Sequence, residues 1–166
     1  MTREVIIWPE EIMNATKTFI DTYLNNQIDY INNTLKDDDF KVPNIADEAW
    51  LFQNLDDTLS NEIVTGFIGV AMKTDESTPV AQIETYTVEV DVIYSDPGLT
   101  NRQQFTQLFR YQYALKEIFN KNPFKLIGKG ERITLTSLQP IVLEKQYAED
   151  NLLRAIGIEF DVTVSN

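Results

Sequence analysis

The sequence predicts an α+β domain: a mainly antiparallel sheet of about four or more strands, with a long N-terminal helix and a second helix packed on its apolar face, in the order α-β-β-α-β-β. Three observations predict it. Apolar residues recur at helical spacing from Pro9 to Leu35 and again from Phe105 to Phe119. Two segments, 85–94 and 156–164, alternate strictly between apolar and polar residues. Short turn signals separate most of the strand-like runs, as hairpin connections require.

The first helix spans Pro9 to about Leu35. Ile12, Thr16, Phe19, Tyr23, Ile28, Ile31 and Leu35 recur at steps of three, four and five residues, and Ile20 and Leu24 widen the stripe. Pro9 suits the first helical position, where no N–H is needed, and Glu10 and Glu11 suit the positive end of the helix dipole. A helix of this length runs about 40 Å. Lys36-Asp37-Asp38-Asp39 and then Val42-Pro43-Asn44 stop it, because proline cannot continue a helix and restricts the residue before it. Residues 37–61 form an acidic loop region without a clear period, in which Trp50-Leu51-Phe52 is apolar enough for a short strand or a loop anchored in the core.

The remaining core, 62–166, belongs to the same single domain of residues 1–166. Ile63 to Met72 is β-branched and apolar and reads as a buried strand, whose Gly66 and Gly69 signal a bulge or a close backbone approach. After the polar connection from Lys73 to Pro79, Tyr86, Val88, Val90, Val92 and Tyr94 define an inner face, with Thr85, Thr87, Glu89, Asp91 and Ile93 opposite. Ser95-Asp96-Pro97-Gly98 is a turn. The second helix starts near Thr100, with Gln103 completing a capping box, and Asn122-Pro123 ends it. Its stripe is Phe105, Leu108, Phe109, Tyr111, Leu115, Ile118 and Phe119. Tyr111 and Tyr113 cannot both share it, so at least one aromatic packs elsewhere, a partner surface being one destination. Past the Gly128-Lys129-Gly130 turn, Ile133, Leu135 and Leu138 to Leu143 read as a strand, with Pro140 arguing for an edge or a bulge. Ile156, Ile158, Phe160, Val162 and Val164 point inward from the last strand, with Gly157, Glu159, Asp161 and Thr163 outward.

Composition narrows the chemistry. The 166 residues contain no His and no Cys, which removes thiolate and imidazole catalysis, Ser-His-Asp arrangements, Cys/His zinc sites and disulfides. At this length a chain buries roughly 70% of its unfolded surface and holds together without staples. The run Val5-Ile6-Ile7-Trp8 is too short for a signal-peptide core, so Asn14 and Asn32, each in an Asn-x-Thr match, lack a secretory context.

The net charge of −12 is unevenly placed. Residues 1–80 hold 5 basic and 15 acidic side chains, and residues 81–166 hold 9 and 11. Between residues 102 and 132, Arg102, Arg110, Lys116, Lys121, Lys125, Lys129 and Arg132 face only Glu117 and Glu131. Two readings stand: solvated faces with cations toward a helix C-terminus, or an acidic face of one copy meeting a basic face of the next. Specific DNA binding is disfavoured by the overall negative charge.

Candidate sites are few. Asp37-Asp38-Asp39, Asp47-Glu48 and Asp56-Asp57 are acidic clusters, but Val42-Pro43 stands where a calcium loop needs its glycine, and a charged solvated loop explains them. Glu89 and Asp91 share one strand face, and Glu159 and Asp161 another; paired carboxylates can do acid-base work, but neither pair is followed by a nuclease-like Glu-x-Lys. They read as an outward polar face or a negatively charged wall. Gly128-Lys129-Gly130 lacks the strand-to-helix context and the Ser/Thr of a phosphate loop. The sequence calls for no cofactor, no metal and no catalytic residue.

The element order, with a strand 86-YTVEVDVIY-94, a helix from Phe105 to Phe119 and a closing strand 154-RAIGIEFDV-162, resembles that of the tail terminator (tail completion) proteins of long-tailed bacteriophages. The resemblance covers roughly residues 60–166. It implies a homo-oligomeric ring, typically a hexamer, in the virion at the tail-neck junction, assembled in the host cytoplasm. Such a ring stops growth of the tail tube, offers a surface to the head connector or neck proteins, and lets DNA slide through without specific binding. It implies no enzyme and no membrane. On this reading Glu89, Asp91, Glu159 and Asp161 are candidates for an acidic lumen that repels phosphate, and Arg102, Arg110, Lys116, Lys121, Lys125, Lys129 and Arg132 for inter-subunit contacts. Another neck or head-completion ring, a tail-tube-like protein, and a generic α+β ligand- or peptide-binding module are the alternatives.

Overall fold

A computed structural model of the protein describes residues 9–52, 63–72, 83–94, 96–124, 133–147 and 151–165. Two helices, α1 (Pro9–Leu35) and α2 (Asn101–Lys121), accompany one five-stranded sheet of β1 (Trp50–Phe52), β2 (Val64–Met72), β3 (Ile83–Tyr94), β4 (Ile133–Tyr147) and β5 (Asn151–Ser165). The spatial order is β1-β2-β3-β5-β4. The α+β reading holds, with one addition. The short β1 pairs parallel with β2 while every other neighbouring pair is antiparallel, so the sheet is mixed. The chain leaves β3, passes through α2 and enters β4 two positions away, and β5 fills the gap between them as a split β-α-β unit.

The helices begin and end where local chemistry says they should. Pro9 opens α1, and Glu10 and Glu11 occupy its first turn. Ile12, Phe19, Ile20, Leu24, Ile28 and Ile31 are buried, and the hydroxyl of buried Thr16 donates to the Ile12 carbonyl at 2.8 Å. Leu35, expected to complete the stripe, is 52% exposed, because the helix ends there. Lys36 follows in the left-handed region at φ 49°, with its N–H on the Asn32 carbonyl. Thr100 caps α2 reciprocally: Gln103 N–H donates to Thr100 Oγ1 at 3.3 Å and Thr100 N–H to Gln103 Oε1 at 2.9 Å. The preceding turn is closed by Gly98 N–H on the Asp96 carboxylate at 2.9 Å.

The inner sheet face is built by alternation. Val64 and Ile68 of β2, Tyr86, Val88, Val90, Val92 and Tyr94 of β3, and Ile156, Ile158, Phe160 and Val162 of β5 are all buried under the helices. An aromatic cluster joins the layers: Phe119 of α2 lies 4.5 Å from Phe19 of α1 and 4.7 Å from Phe160 of β5. Gly66 is the close approach its position suggested, since a Cβ there would sit 2.3 Å from the Trp50 ring that lies across it. That seat lets the register pair Trp50↔Gly66 form and gives β1 its place on β2.

Candidate functional site

The four strand carboxylates share one face of the sheet. β3 and β5 are neighbours, with Glu89 opposite Glu159, Asp91 opposite Gly157 and Thr87 opposite Asp161. That face is not, however, uniformly outward. Asp91 and Asp161 are 5% and 8% exposed, which corrects, for these two, the expectation of an outward polar face. Strand parity fixes which face a residue takes but not how deeply it is covered. Gly157 leaves room for the Asp91 carboxylate to lie over its backbone, and Asp161 accepts a hydrogen bond from Thr87 Oγ1 at 3.0 Å. Glu89 and Glu159 remain half-buried and directly opposed, the pair that presents charge on this face. Among the described residues no three acidic side chains converge as a metal-holding group.

The basic strip is divided by its helix. Arg110 points into the groove beside α1, where Nη1 donates to the Phe40 carbonyl and Nη2 lies 3.3 Å from the Asp37 carboxylate. Arg110, a candidate for inter-subunit contacts, here braces residues 37–40 of its own chain. Lys121 pairs with Glu117 at 2.7 Å and lies over the Tyr30 ring, and Glu117 first of all raises its pKa. Arg102 is exposed with its guanidinium 5.9 Å from the Phe40 ring, and Lys116 is exposed. Lys125, Lys129 and Arg132 lie outside the described residues, as do Asp56-Asp57, the 73–79 connection and the Gly128-Lys129-Gly130 turn.

The largest departure from the sequence reading is in residues 37–48, expected to be a solvated acidic loop. The segment is strapped along the groove between the helices. From α1, the Asn32 side-chain amide holds both backbone groups of Val42, at 2.8 and 3.0 Å, and the Asn25 amide holds both of Ile45, at 3.1 and 3.0 Å. Each asparagine acts as a short piece of β-ladder, and their seven-residue separation matches two helical turns. From α2, Gln107 Nε2 donates to the Lys41 carbonyl at 2.9 Å, Tyr111 OH donates to the Pro43 carbonyl, and Gln103 Nε2 reaches the Asp39 carbonyl at 3.4 Å. Val42 and Ile45 are thereby buried while Asp38, Asp39 and Glu48 stay exposed. At the far end Lys17 pairs with Asp21 and Asp47. Burial draws the Lys17 ammonium down, but the two carboxylates outweigh it and leave its pKa raised; the same hydrogen bond and charge lower that of Asp47. Burial pushes the phenols of Tyr111 and Tyr94 up, with charge from Tyr94 adding in the first case and from Asp96 in the second. The Asn-x-Thr match at Asn32 thus overlies a structural clamp.

The aromatic surplus of α2 resolves differently from the predicted stripe. Tyr111 is fully buried, and Phe109, placed in the stripe by its spacing, is 53% exposed, as is Tyr113 one turn later. Phe105 stacks on Phe109 at 6.4 Å. Matched against known proteins, the chain hits no family model and no curated protein.

Proposed function

We propose that the protein is a structural subunit of the tail-neck junction of a long-tailed bacteriophage, a tail terminator that forms a ring, caps the tail tube and presents a surface to the head connector. The reading rests on the resemblance in element order and strand texture described above. The observation that favours assembly over chemistry is the outer face of α2, where two large aromatics stand about half exposed one turn apart. In such a ring Glu89 and Glu159 are the carboxylates that face the lumen and keep DNA from adhering. Electron microscopy of the purified protein tests the proposal. Finite rings support it, unlimited tubes assign a tube-like role instead, and a monomer at high concentration and low salt favours a ligand-binding module.

A further inference from the structure

The geometry points to a partner for the outer face of α2: the acidic 37–48 segment of a second copy of this chain. The inference rests on the ring reading for closure alone; the contact itself is argued from the surface. Arg102, Phe109 and Lys116 are seven residues apart in turn, so they stand in one row along the helix, and Tyr113 lies beside them. All four are exposed, and Phe105 supports Phe109 from the preceding turn. This is an apolar ridge with a cation at each end, an anchor composition that favours binding. Over Asn101–Lys121 the helix carries Arg102, Arg110, Lys116 and Lys121 against Glu117, on a chain whose net charge is −12.

Charge decides the partner. Two ridges face to face would oppose cation to cation, whereas the 37–48 segment offers exposed Asp38, Asp39 and Glu48. That segment is already fixed by Asn25, Asn32, Gln107 and Tyr111, so docking does not have to order it. Each copy carries both surfaces, so the contact either repeats head to tail, closing into a ring or continuing as a filament, or is made twice across a two-fold axis; the ring reading selects the head-to-tail form.

The test uses the full chain in two forms: Phe109→Glu/Tyr113→Glu, which removes the ridge, and Asp38→Lys/Asp39→Lys/Glu48→Lys, which removes the acidic surface. Far-ultraviolet circular dichroism and melting checks that both fold. Sedimentation should show each variant associating about a hundred-fold more weakly than the wild type. An equimolar mixture of the two should form a one-to-one dimer and stop there, since only one intact ridge and one intact acidic surface remain. Raising salt should weaken that dimer. A wild-type ring that survives the ridge substitutions overturns the docking ridge and leaves the ring standing. An open chain or simple dimer that those substitutions dissolve, with the mixture still pairing, upholds the ridge and overturns the ring. Self-association of the acidic-surface variant through its ridge, or a wild type that stays monomeric, overturns the head-to-tail contact. If neither variant folds, single Lys116→Glu and Glu48→Lys substitutions provide the same mixing test.

Discussion

Gly157→Ala should be among the most damaging single-methyl additions to this fold. A Cβ at Gly157 would lie 2.2 Å from the Val90 carbonyl oxygen, 2.3 Å from Asp91 Oδ1 and 3.0 Å from Asp91 Cα. Ordinary contact begins at 3.4 Å, so β3 and β5 must separate by about 1.2 Å at the register pair Asp91↔Gly157. Most of the clash is with the neighbouring backbone, which no rotamer change relieves. A ladder hydrogen bond stretched by that amount leaves the range in which it counts, and two such bonds with their buried groups left short cost about 3–4 kcal/mol. Alanine recovers about 0.5–1 kcal/mol of the entropy that glycine loses in a strand. The net loss is therefore about 2–3.5 kcal/mol, a fall in Tm of about 4–14 °C for a domain of this size. Chemical denaturation with a thermal scan measures it, with Gly98→Ala as the control. There the new methyl lies 3.2 Å from the Asp96 side chain in an exposed turn, and the change should stay within about 0.5 kcal/mol. A Gly157→Ala protein as stable as wild type would refute the close approach of the two strands.

Three further outcomes follow from particular residues. Lys36→Gly should stabilise the protein by about 0.5–1 kcal/mol, measured by urea unfolding, because φ 49° costs a residue with a Cβ and not glycine. Asn32→Ala leaves both backbone groups of buried Val42 without their clamp and should cost about 1–3 kcal/mol; hydrogen exchange should accelerate at the Val42 amide while β3 and β5 stay protected, and unchanged exchange at Val42 would count against the strap. The Lys17–Asp47 contact should show in the pH dependence of unfolding. Asp47 is lowered, so its contribution is present above its ordinary value of 3.8 and is lost as pH falls through the depressed value. Lys17 is raised, so its contribution is present below 10.5 and is lost as pH rises through the elevated value. Asp47→Asn should flatten the acid limb of the unfolding midpoint plotted against pH, and an unaltered limb would remove that pair from the account.

Features decided by a residue and its near neighbours were legible in the sequence. Pro9 marked the start of α1, Thr100 and Gln103 the cap of α2, and Pro140 an edge or a bulge; β4 is an edge strand of the described sheet, with a register shift between Thr136 and Gln139. Period-two alternation named Tyr86, Val88, Val90, Val92 and Tyr94 of β3 and Ile156, Ile158, Phe160 and Val162 of β5 as inner residues, and all are buried; the side chain of Val164, named with them, lies outside the described ones. What it left open depends on partners distant in the chain. Asn25 and Asn32 look like ordinary polar positions on α1 until Ile45 and Val42 return to them. Helical spacing set the stripe of α2 only to within its width. Two positions apart on a helix point to nearly opposite sides, so Tyr111 lies with buried Leu108, Ala114, Leu115 and Ile118, where its hydroxyl meets the Pro43 carbonyl, and Phe109 faces out.

The cations of α2 therefore divide by their angle around the helix, and the division assigns them different work. Arg110 looks toward residues 37–40, and its value lies less in the Asp37 pair than in its geometry. A half-buried ion pair open to water is worth about 1 kcal/mol or less. The guanidinium also donates to the Phe40 carbonyl with one nitrogen while the other meets Asp37, and its Cζ lies 5.6 Å from the centroid of the Phe40 ring. Lysine could keep the charge but not that fork, so Arg110→Lys should loosen residues 37–40 and leave the net charge unchanged. Lys116 is exposed on the opposite side and, among the described residues, holds no backbone group in place, so reversing its sign should alter association with little effect on folding. A sequence count treats the two as members of one basic strip. The groove between the helices separates the charge that fixes the strap from the charge that remains for a partner.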